Sequence, residues 1–398
     1  MDPGTPQQEW DRLDRARRAL ARRHGEKLLA EVRGGGNLRA RRDASSLLAF
    51  AIALLVHGAT MALAFGGIWW LVRGWGGAGM VPGVILLAIA WFLRPRVVQL
   101  PEEGPILRRS DAPELFALVD EVAQVVGTRG VDLITADAEL NASVTTCGVR
   151  GRRLLVLGLP LWEILTPQQR IALLGHELAH YSNGDTRHGL VVKTAYRSLT
   201  TWRYVLLPVR NPSFVEMVGN LLCIAPNLLV LGLLTLLEHL TLRATQRAEY
   251  LADREAARAA STEAAVGLMD WLLVSDSAVV ALQREANQAA LAGPRGSRTA
   301  NAGAEELWER LRAHMASIPE YEYERQRRVG SRRGHSVDTT HPPTHLRSSC
   351  LLVGEPAPAA VVMDAGRERR IAAELAAARV NVAQRIVREG FNGYGSAQ

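Results

Sequence analysis

Two histidines four residues apart are the residues whose types and spacing point most directly to chemistry. His176 and His180 belong to the sequence HELAH, and Glu177 stands between them. On a helix, residues four apart lie on one face, so both imidazoles can bind one metal ion. Glu177 projects about 100° away around the helix axis, where it reaches a metal-held water rather than the metal. This arrangement is typical of zinc metallopeptidases, although an amphipathic helix with two solvated histidines gives the same string.

The residues around HELAH predict the helix that this geometry requires. Thr166, Pro167 and Gln169 suit the N-cap, the first helical position and the capping-box partner. An apolar face at helical spacing and a stop signal complete the pattern, in Ile171, Leu174, Leu178 and Asn183-Gly184. A catalytic zinc ion usually has three protein ligands and one open position, so a third ligand must come from elsewhere in the chain.

A helix predicted after residue 238 offers the third ligand. Glu249 can complete a set of two histidines and one glutamate. Asp253 lies one turn further along the same face and can accept the second N–H of a ligating imidazole, which would fix its tautomer. Asp185 is another candidate for such outer support, or simply a residue that ends the HELAH helix. The alternative for Glu249 and Asp253 is a pair of solvated acids on a surface helix.

The cysteine content limits the kinds of metal site that the chain can form, and the charge distribution indicates which partners it binds. The three cysteines are too few and too scattered for a disulfide framework or a cysteine-type zinc site, so zinc here must use histidine and carboxylate. The net charge is +7, but the positive charge concentrates beside apolar segments. That distribution predicts membrane topology, with a lipid bilayer as partner and no nucleic acid.

The first apolar segments predict a transmembrane hairpin. Residues 1–44 are polar and basic, and we expect a cytoplasmic tail whose charged helix ends at Gly34-Gly35-Gly36. Residues 45–72 carry no formal charge unless His57 is protonated. This segment is long enough to cross a hydrocarbon core of about 30 Å. Residues 80–93 are apolar again. Because basic residues crowd both outer ends of this pair, the N-terminus and everything after Arg94 are expected in the cytoplasm.

Two further segments leave the topology open. Residues 189–209 are largely apolar but carry three basic residues, and residues 217–237 are uncharged and can span a membrane despite Pro226-Asn227. Because Glu249 must reach the metal held by His176 and His180, the chain between them must cross the membrane an even number of times. Either the two segments pair as spans, which we favour, or both pack against the catalytic domain.

The other segments are expected to be soluble. Residues 111–126 have helical periodicity, and residues 131–134, 141–146 and 154–157 predict a small sheet. We expect a long, partly mobile excursion over 294–340 around a helical piece at 305–316, and a helix over 367–389.

Several motifs occur in a characteristic order. An apolar hairpin, strands with Asn141-Ala142, HELAHYSNGD, two apolar segments, EYLAD and THPPTHLR follow one another. Together they resemble the HtpX-like integral-membrane metallopeptidases, gluzincins related to the CAAX prenyl endopeptidases. The resemblance implies that His176, His180 and Glu249 bind Zn²⁺ and that Glu177 is the general base.

The same resemblance extends to residues around the metal. Asn141 and Ala142 match a strand edge that holds the substrate backbone, and His341 and Arg347 match a histidine and an arginine that help stabilise the tetrahedral intermediate. Two departures concern local support: Thr245-Gln246 stand where the family usually has Ser-Arg, and Arg347 is followed by Ser-Ser-Cys.

These patterns predict a mainly α-helical, multi-pass membrane protein with a small β-sheet and a gluzincin-type peptidase domain. We expect a basic tail (1–44), a hairpin (45–94), the first part of the peptidase domain (95–188), a membrane-embedded or membrane-associated hairpin (189–237) and the second part of the domain (238–398).

The expected activity is zinc-dependent cleavage of misfolded or membrane polypeptides at the cytoplasmic face, with the substrate extended along residues 141–146. The rival hypothesis is a membrane scaffold or sensor with structural zinc, for which Glu177 would have no use. The basic tail could also contact anionic lipid or nucleic acid, but membrane topology already accounts for its charge.

Overall fold

A computed structural model of the chain describes residues 6–35, 44–95, 99–100, 104–148, 150–183, 187–209, 212–292, 300–333 and 341–391. The helices are α1 (Pro6–Arg33), α2 (Ala44–Arg73), α3 (Met80–Leu93), α4 (Pro113–Val126), α5 (Leu159–Ile164), α6 (Pro167–Asn183), α7 (Arg187–Val205), α8 (Phe214–Ala260), α9 (Thr262–Leu273), α10 (Ser275–Ala292), α11 (Ala300–Ala316), α12 (Glu320–Arg333), α13 (Thr344–Leu351), α14 (Ala365–Glu374) and α15 (Ala376–Glu389). The strands are β1 (Ile106–Leu107), β2 (Leu133–Asp137), β3 (Ala142–Cys147) and β4 (Arg152–Gly158). The prediction of a mainly helical chain with a small sheet is confirmed.

The chain divides into two compact units. The first consists of Met1–Arg39, Val98–Asn183 and Thr245–Gln398, and the second of Ala40–Val97 and Gly184–Ala244. Helix α8 is continuous through Pro226 and supplies residues to both units, up to Ala244 in the second and from Thr245 in the first.

The sheet of the first unit is small and mixed. Its strand order is β1-β2-β4-β3, with β2 parallel to β4 and the other two pairs antiparallel. Gly148 and Gly151 both have positive φ angles, 69° and 63°, in the tight connection between β3 and β4. The three strands predicted from the sequence are present, and β1 is an addition. The order leaves β3 at an edge of the sheet.

The main core lies between this sheet and the surrounding helices. The predicted apolar face of α6 is part of it, since Ile171, Leu174 and Leu178 have no exposed surface. Helix α4 adds Leu115 and Val119 to the same cluster. One face of α6 therefore packs into the core, and His176 and His180 lie on a different face of the helix.

Two expectations about the C-terminal half are corrected. The helical piece expected at 305–316 lies within α11, whose Trp308 is fully buried in the main core, but residues 320–333 form a further helix, α12, where we expected an irregular excursion. Aromatic and leucine burial explains why α11 packs. Residues 367–389 lie on two helices, α14 and α15, rather than one.

The second unit consists of α2, α3, α7 and the first part of α8. Its apolar cluster joins Ala53 of α2, Ala195 and Leu199 of α7 and Leu234 of α8. Helices α2 and α3 touch closely, because a Cβ atom on Gly83 would lie 2.8 Å from the backbone nitrogen of Leu71.

Among the described helices, α2 and α8 are each long and apolar enough to cross a membrane. The pair α9 and α10 passes the same criterion only as a single span bent by 56°, and Leu268 and Met269 of α9 are buried in the main core. Helix α3 is apolar but shorter. These helices support a membrane protein, and the number of spans stays a prediction.

Candidate metal centre and active site

A reciprocal pair of hydrogen bonds starts the helix that carries HELAH. The backbone N–H of Thr166 donates to Gln169 Oε1 at 3.0 Å, and the backbone N–H of Gln169 donates to Thr166 Oγ1 at 3.3 Å. This is the predicted capping box, and it satisfies two N–H groups at the start of α6. Helix α6 is described as far as Asn183, and Gly184 of the predicted stop signal lies outside the described residues.

A glycine brings α6 against α8. A Cβ atom on Gly175 would lie 3.0 Å from Ala256 Cα and 3.2 Å from Ala259 Cβ, so the two helices cross almost backbone to backbone. His176 follows Gly175 directly. The close crossing therefore places His176 and His180 beside Glu249, although α6 and this part of α8 are far apart in sequence.

His176, His180 and Glu249 form a group whose ligand atoms converge. The two Nε2 atoms are 3.3 Å apart. His176 Nε2 lies 3.5 Å from Glu249 Oε2, and His180 Nε2 lies 3.7 Å from Glu249 Oε1. Ligand atoms bound at about 2.1 Å with tetrahedral angles stand about 3.4 Å apart, so these separations fit a zinc ion.

Protonation and hydrogen bonding in the group also fit a cation. Burial, followed by the nearby His176, lowers the pKa of His180 to about 4, which keeps its lone pair free. Burial alone would raise the pKa of Glu249, but four neighbouring groups, His341, His176, Arg347 and His180, together lower it. Glu249 Oε2 is buried and accepts no hydrogen bond among the described residues, and His341 Nε2 lies 3.2 Å from it. An ionised oxygen in such a place is stabilised by further positive charge, which a metal ion would supply.

Asp253 supports this group from behind. Its Oδ1 lies 3.0 Å from His176 Nδ1, which directs the other ring nitrogen toward Glu249. Arg347 donates to both Asp253 oxygens, from Nη2 at 2.6 Å and from Nε at 2.8 Å. Burial alone would raise the pKa of Asp253, but Arg347 and His176 together outweigh burial and hold that pKa far below its ordinary value.

Glu177 lies next to the ligands with partial access to solvent. From the protein groups alone, burial raises the pKa of its carboxyl to about 7. A carboxyl with such a pKa can take up and release a proton near neutral pH, which is the property that a general base needs.

His341 lies on the solvent side of Glu249. Its Nε2 is 3.2 Å from Glu249 Oε2, and a quarter of its side chain, 25%, is exposed. Arg347 by contrast has only 3% of its side chain exposed. His341 and Arg347 therefore both lie near Glu249, His341 with partial exposure to solvent and Arg347 fully buried.

Asn141 and Ala142 lie at the start of the edge strand β3. The N–H of Gly158 in β4 donates to the Asn141 carbonyl at 2.9 Å. Because antiparallel pairing alternates, the backbone groups of Ala142, Val144 and Thr146 face away from β4. The Ala142 N–H donates to Asn141 Oδ1 at 2.9 Å, and the other outward-facing backbone groups form a row of donors and acceptors at the open side of the strand.

Tyr181 is a residue near the site that sequence patterns did not single out. Its hydroxyl donates to the Thr145 carbonyl of β3 at 2.6 Å, so the residue after His180 is tied to the edge strand. The only feature of the sequence that could have pointed to Tyr181 is its position directly after HELAH. Gln246, noted as a departure from the family, is fully buried, and its Nε2 donates to the Ala21 carbonyl of α1.

The structure brings most predicted site residues into one region of the first unit. His176, His180, Glu249, Asp253, His341 and Arg347 are joined by the contacts above, with Glu177 adjacent in sequence. Asn141 and Ala142 are tied in through β3, α6 and Tyr181. Asp185 lies outside the described residues.

A buried histidine and glutamate group with a neighbouring carboxylate and an edge strand defines a metallopeptidase type of site. The family model for peptidase family M48 matches residues 110–352, which is more than half of the chain. The chain therefore belongs to peptidase family M48, a family of zinc metallopeptidases.

A curated relative supports this assignment. The chain is 27% identical over 114 residues to a protein described as "Protease HtpX homolog" from Thermoplasma volcanium. The match covers 27% of this chain and 37% of the relative, so it spans well under half the length of that protein. No solved structure gives a significant match.

Proposed function

We propose that this protein is a membrane-bound, zinc-dependent endopeptidase. The observation that carries the proposal is the group formed by His176, His180 and Glu249, whose ligand atoms are separated by 3.3 to 3.7 Å and fit tetrahedral zinc. Family membership gives the same class of activity.

His176, His180 and Glu249 would hold a zinc ion, and catalytic zinc sites with three protein ligands usually keep one position open for water. Zinc held there would lower the pKa of a bound water and polarise the scissile carbonyl. Glu177 would act as the general base that accepts a proton from this water and would then donate it to the leaving amine. Its place directly after His176, on the helix that carries two of the proposed ligands, supports this role.

His341 and Arg347 are proposed to support the charged intermediate in different ways. The partly exposed His341 imidazole can donate to an oxyanion that develops beside the ligands. Arg347 donates its Nε and Nη2 hydrogen bonds to the carboxylate of Asp253. Its positive charge lies 3.8 Å from Glu249 Oε2, so it acts on the intermediate mainly through the ligands.

The proposed substrate is an extended stretch of polypeptide. It would add a strand beside β3, where the backbone groups of Ala142, Val144 and Thr146 face outward. Main-chain pairing tolerates many sequences, which suits an enzyme that acts on unfolded or membrane proteins.

The proposed location is a cell membrane, with the catalytic residues in the cytoplasm. The apolar helices α2 and α8 support membrane insertion. The basic residues at both outer ends of the first hairpin support the orientation. Protease treatment of intact spheroplasts tests it: a tag after residue 391 must be protected until the membrane is permeabilised.

The decisive experiment measures cleavage of reduced, denatured casein by the purified protein in detergent. We expect turnover that a zinc chelator removes, that added zinc restores, and that Glu177→Gln abolishes while zinc stays bound. Glu163→Gln, in an ion-pair network with Arg312 and Arg379, is a control for a lost carboxylate elsewhere in the fold. Zinc binding without turnover on any denatured substrate would favour the scaffold with structural zinc. Full activity of Glu177→Gln would refute the proposed mechanism.

A further inference from the structure

The N-terminal helix α1 packs against the two helices that carry Glu249 and Arg347. Leu28 is fully buried and forms a small apolar cluster with Tyr250 of α8 and Leu346 of α13. Tyr250 directly follows Glu249, and Leu346 directly precedes Arg347. Helix α1 therefore touches both site helices one residue away from a proposed functional residue.

Two buried hydrogen bonds tie α8 to the backbone of α1. Gln246 Nε2 donates to the Ala21 carbonyl at 2.9 Å, and the Tyr250 hydroxyl donates to the Gly25 carbonyl at 3.2 Å. Gln246 and Tyr250 are four residues apart, so they lie on one face of α8. Glu249 lies between Gln246 and Tyr250 in the sequence. The position of this stretch of α8, and with it the position of Glu249, therefore depends on the position of α1.

Gly25 is the point of closest approach. A Cβ atom there would lie 3.0 Å from Leu346 Cδ1, 3.2 Å from the Tyr250 hydroxyl and 3.7 Å from Pro343 Cδ. A side chain at this position would meet α8 and the start of α13 at once. The absence of a side chain is what lets α1 seat against both.

We propose that α1 is a positioning element of the active site, acting through Gly25, Gln246 and Tyr250 on the placement of Glu249 and Arg347. The inference rests on the proposed zinc chemistry. A misplacement of about 1 Å in a catalytic constellation costs about 100-fold in rate, so a partial displacement of α1 changes catalysis before it unfolds the protein.

The test is Gly25→Leu in the full-length protein, with Lys27→Leu as its matched control. Both introduce leucine, a good helix former, into α1. Lys27 lies on the exposed face of the helix, so the control adds the same side chain without displacing α8 or α13. The measurements are zinc affinity by chelator competition, the visible spectrum of the cobalt-substituted protein, kcat and KM on denatured casein, and Tm.

We expect Gly25→Leu to weaken zinc affinity and to lower kcat, each about 10-fold, with an altered cobalt spectrum and little change in KM. The control Lys27→Leu should match the wild type in all of these. The same losses, smaller in size, are expected for Gln246→Leu and Tyr250→Phe. These two variants leave Gly25 intact and decide the question if Gly25→Leu does not fold.

A purely structural α1 gives a different result. If the variants lower Tm while zinc affinity, cobalt spectrum and kcat per folded molecule stay at wild-type values, the inference is wrong. If the wild-type protein binds zinc but cleaves nothing, the proposed function fails, and the affinity and cobalt spectrum still decide whether α1 positions the ligands.

Discussion

Asp253 and Arg347 form a buried pair joined by two hydrogen bonds, of 2.6 and 2.8 Å. The side chains are 1% and 3% exposed. The same carboxylate lies 3.0 Å from His176 Nδ1. One acidic group thus fixes the orientation of a proposed metal ligand and neutralises a buried cation beside it.

Asp253→Asn removes the charge of this pair while keeping its shape. Arg347 is then buried without its counterion, which costs about 3–5 kcal/mol of folding free energy. His176 also loses its acceptor, so zinc affinity should fall about 10- to 100-fold. Denaturant unfolding and chelator competition measure the two effects.

Asp270→Asn is the control for that substitution. Asp270 binds Arg327 through two hydrogen bonds in the same unit, but 42% of the Arg327 side chain is exposed. Its loss should cost about 1 kcal/mol or less and leave zinc affinity unchanged. Equal losses in both variants would mean that the buried position of Asp253 has no special effect.

Removal of the metal should lower the stability of the protein. A ligand at about 100 times its Kd stabilises the native state by about 2.7 kcal/mol, so a chelator should remove that amount. Glu249→Gln should abolish this zinc-dependent gain. Glu177→Gln should keep it, since Glu177 is proposed as a base and not as a ligand. Thermal unfolding with and without zinc separates the two roles, and the assignment is wrong if the variants behave alike.

Thr166→Ala should test the helix start independently of the chemistry. It removes the hydroxyl that accepts the Gln169 N–H, so the free energy of unfolding should fall by about 1 kcal/mol. Thr166→Ser keeps a hydroxyl and should fold with nearly wild-type stability. Urea unfolding measures both, and kcat should be the same in each, because the cap lies at the opposite end of α6 from His180.

Tyr181→Phe should affect substrate binding more than chemistry. The hydroxyl anchors the Thr145 carbonyl of the edge strand, and a hydrogen bond of about 1 kcal/mol corresponds to roughly a five-fold change. We expect KM for long peptides to rise by about that factor with kcat almost unchanged. Tyr196→Phe, which loses a hydroxyl bond to Glu238 in the second unit, should leave KM at its wild-type value. A fall in kcat with constant KM in Tyr181→Phe would contradict strand pairing along β3.

Local structure near the site could be predicted from the sequence. The capping box of Thr166 and Gln169 and the apolar face of α6 depend on residues within a few positions of each other. The same holds for the three predicted strands, which are short stretches rich in strand-forming residues, and for the β3–β4 turn, which contains Gly148 and Gly151. Periodicity and capping are properties of a short window, so they can be recognised without knowing the fold.

Which distant segment packs against each helix face was decided by the tertiary structure. The order of family motifs pointed to Glu249, but the separations of its oxygens from two imidazoles depend on Gly175 crossing α8 at Ala256. No local pattern indicated that residues 320–333 would form a helix, or that the apolar stretch over 217–237 and the helix that carries Glu249 would be one continuous helix, α8.

The N-terminal segment shows the difference most clearly. Its composition predicted a charged helix, and α1 is present, but a basic composition does not indicate what that helix touches. Contact with Tyr250 and Leu346 depends on a buried face, a glycine at the closest approach and two hydrogen bonds to distant residues. The sequence by itself determined the ligand types and the helix that carries two of them. Which distant parts of the chain surround the candidate metal site was decided only by packing, because the free energy of burial depends on how well surfaces fit together in space.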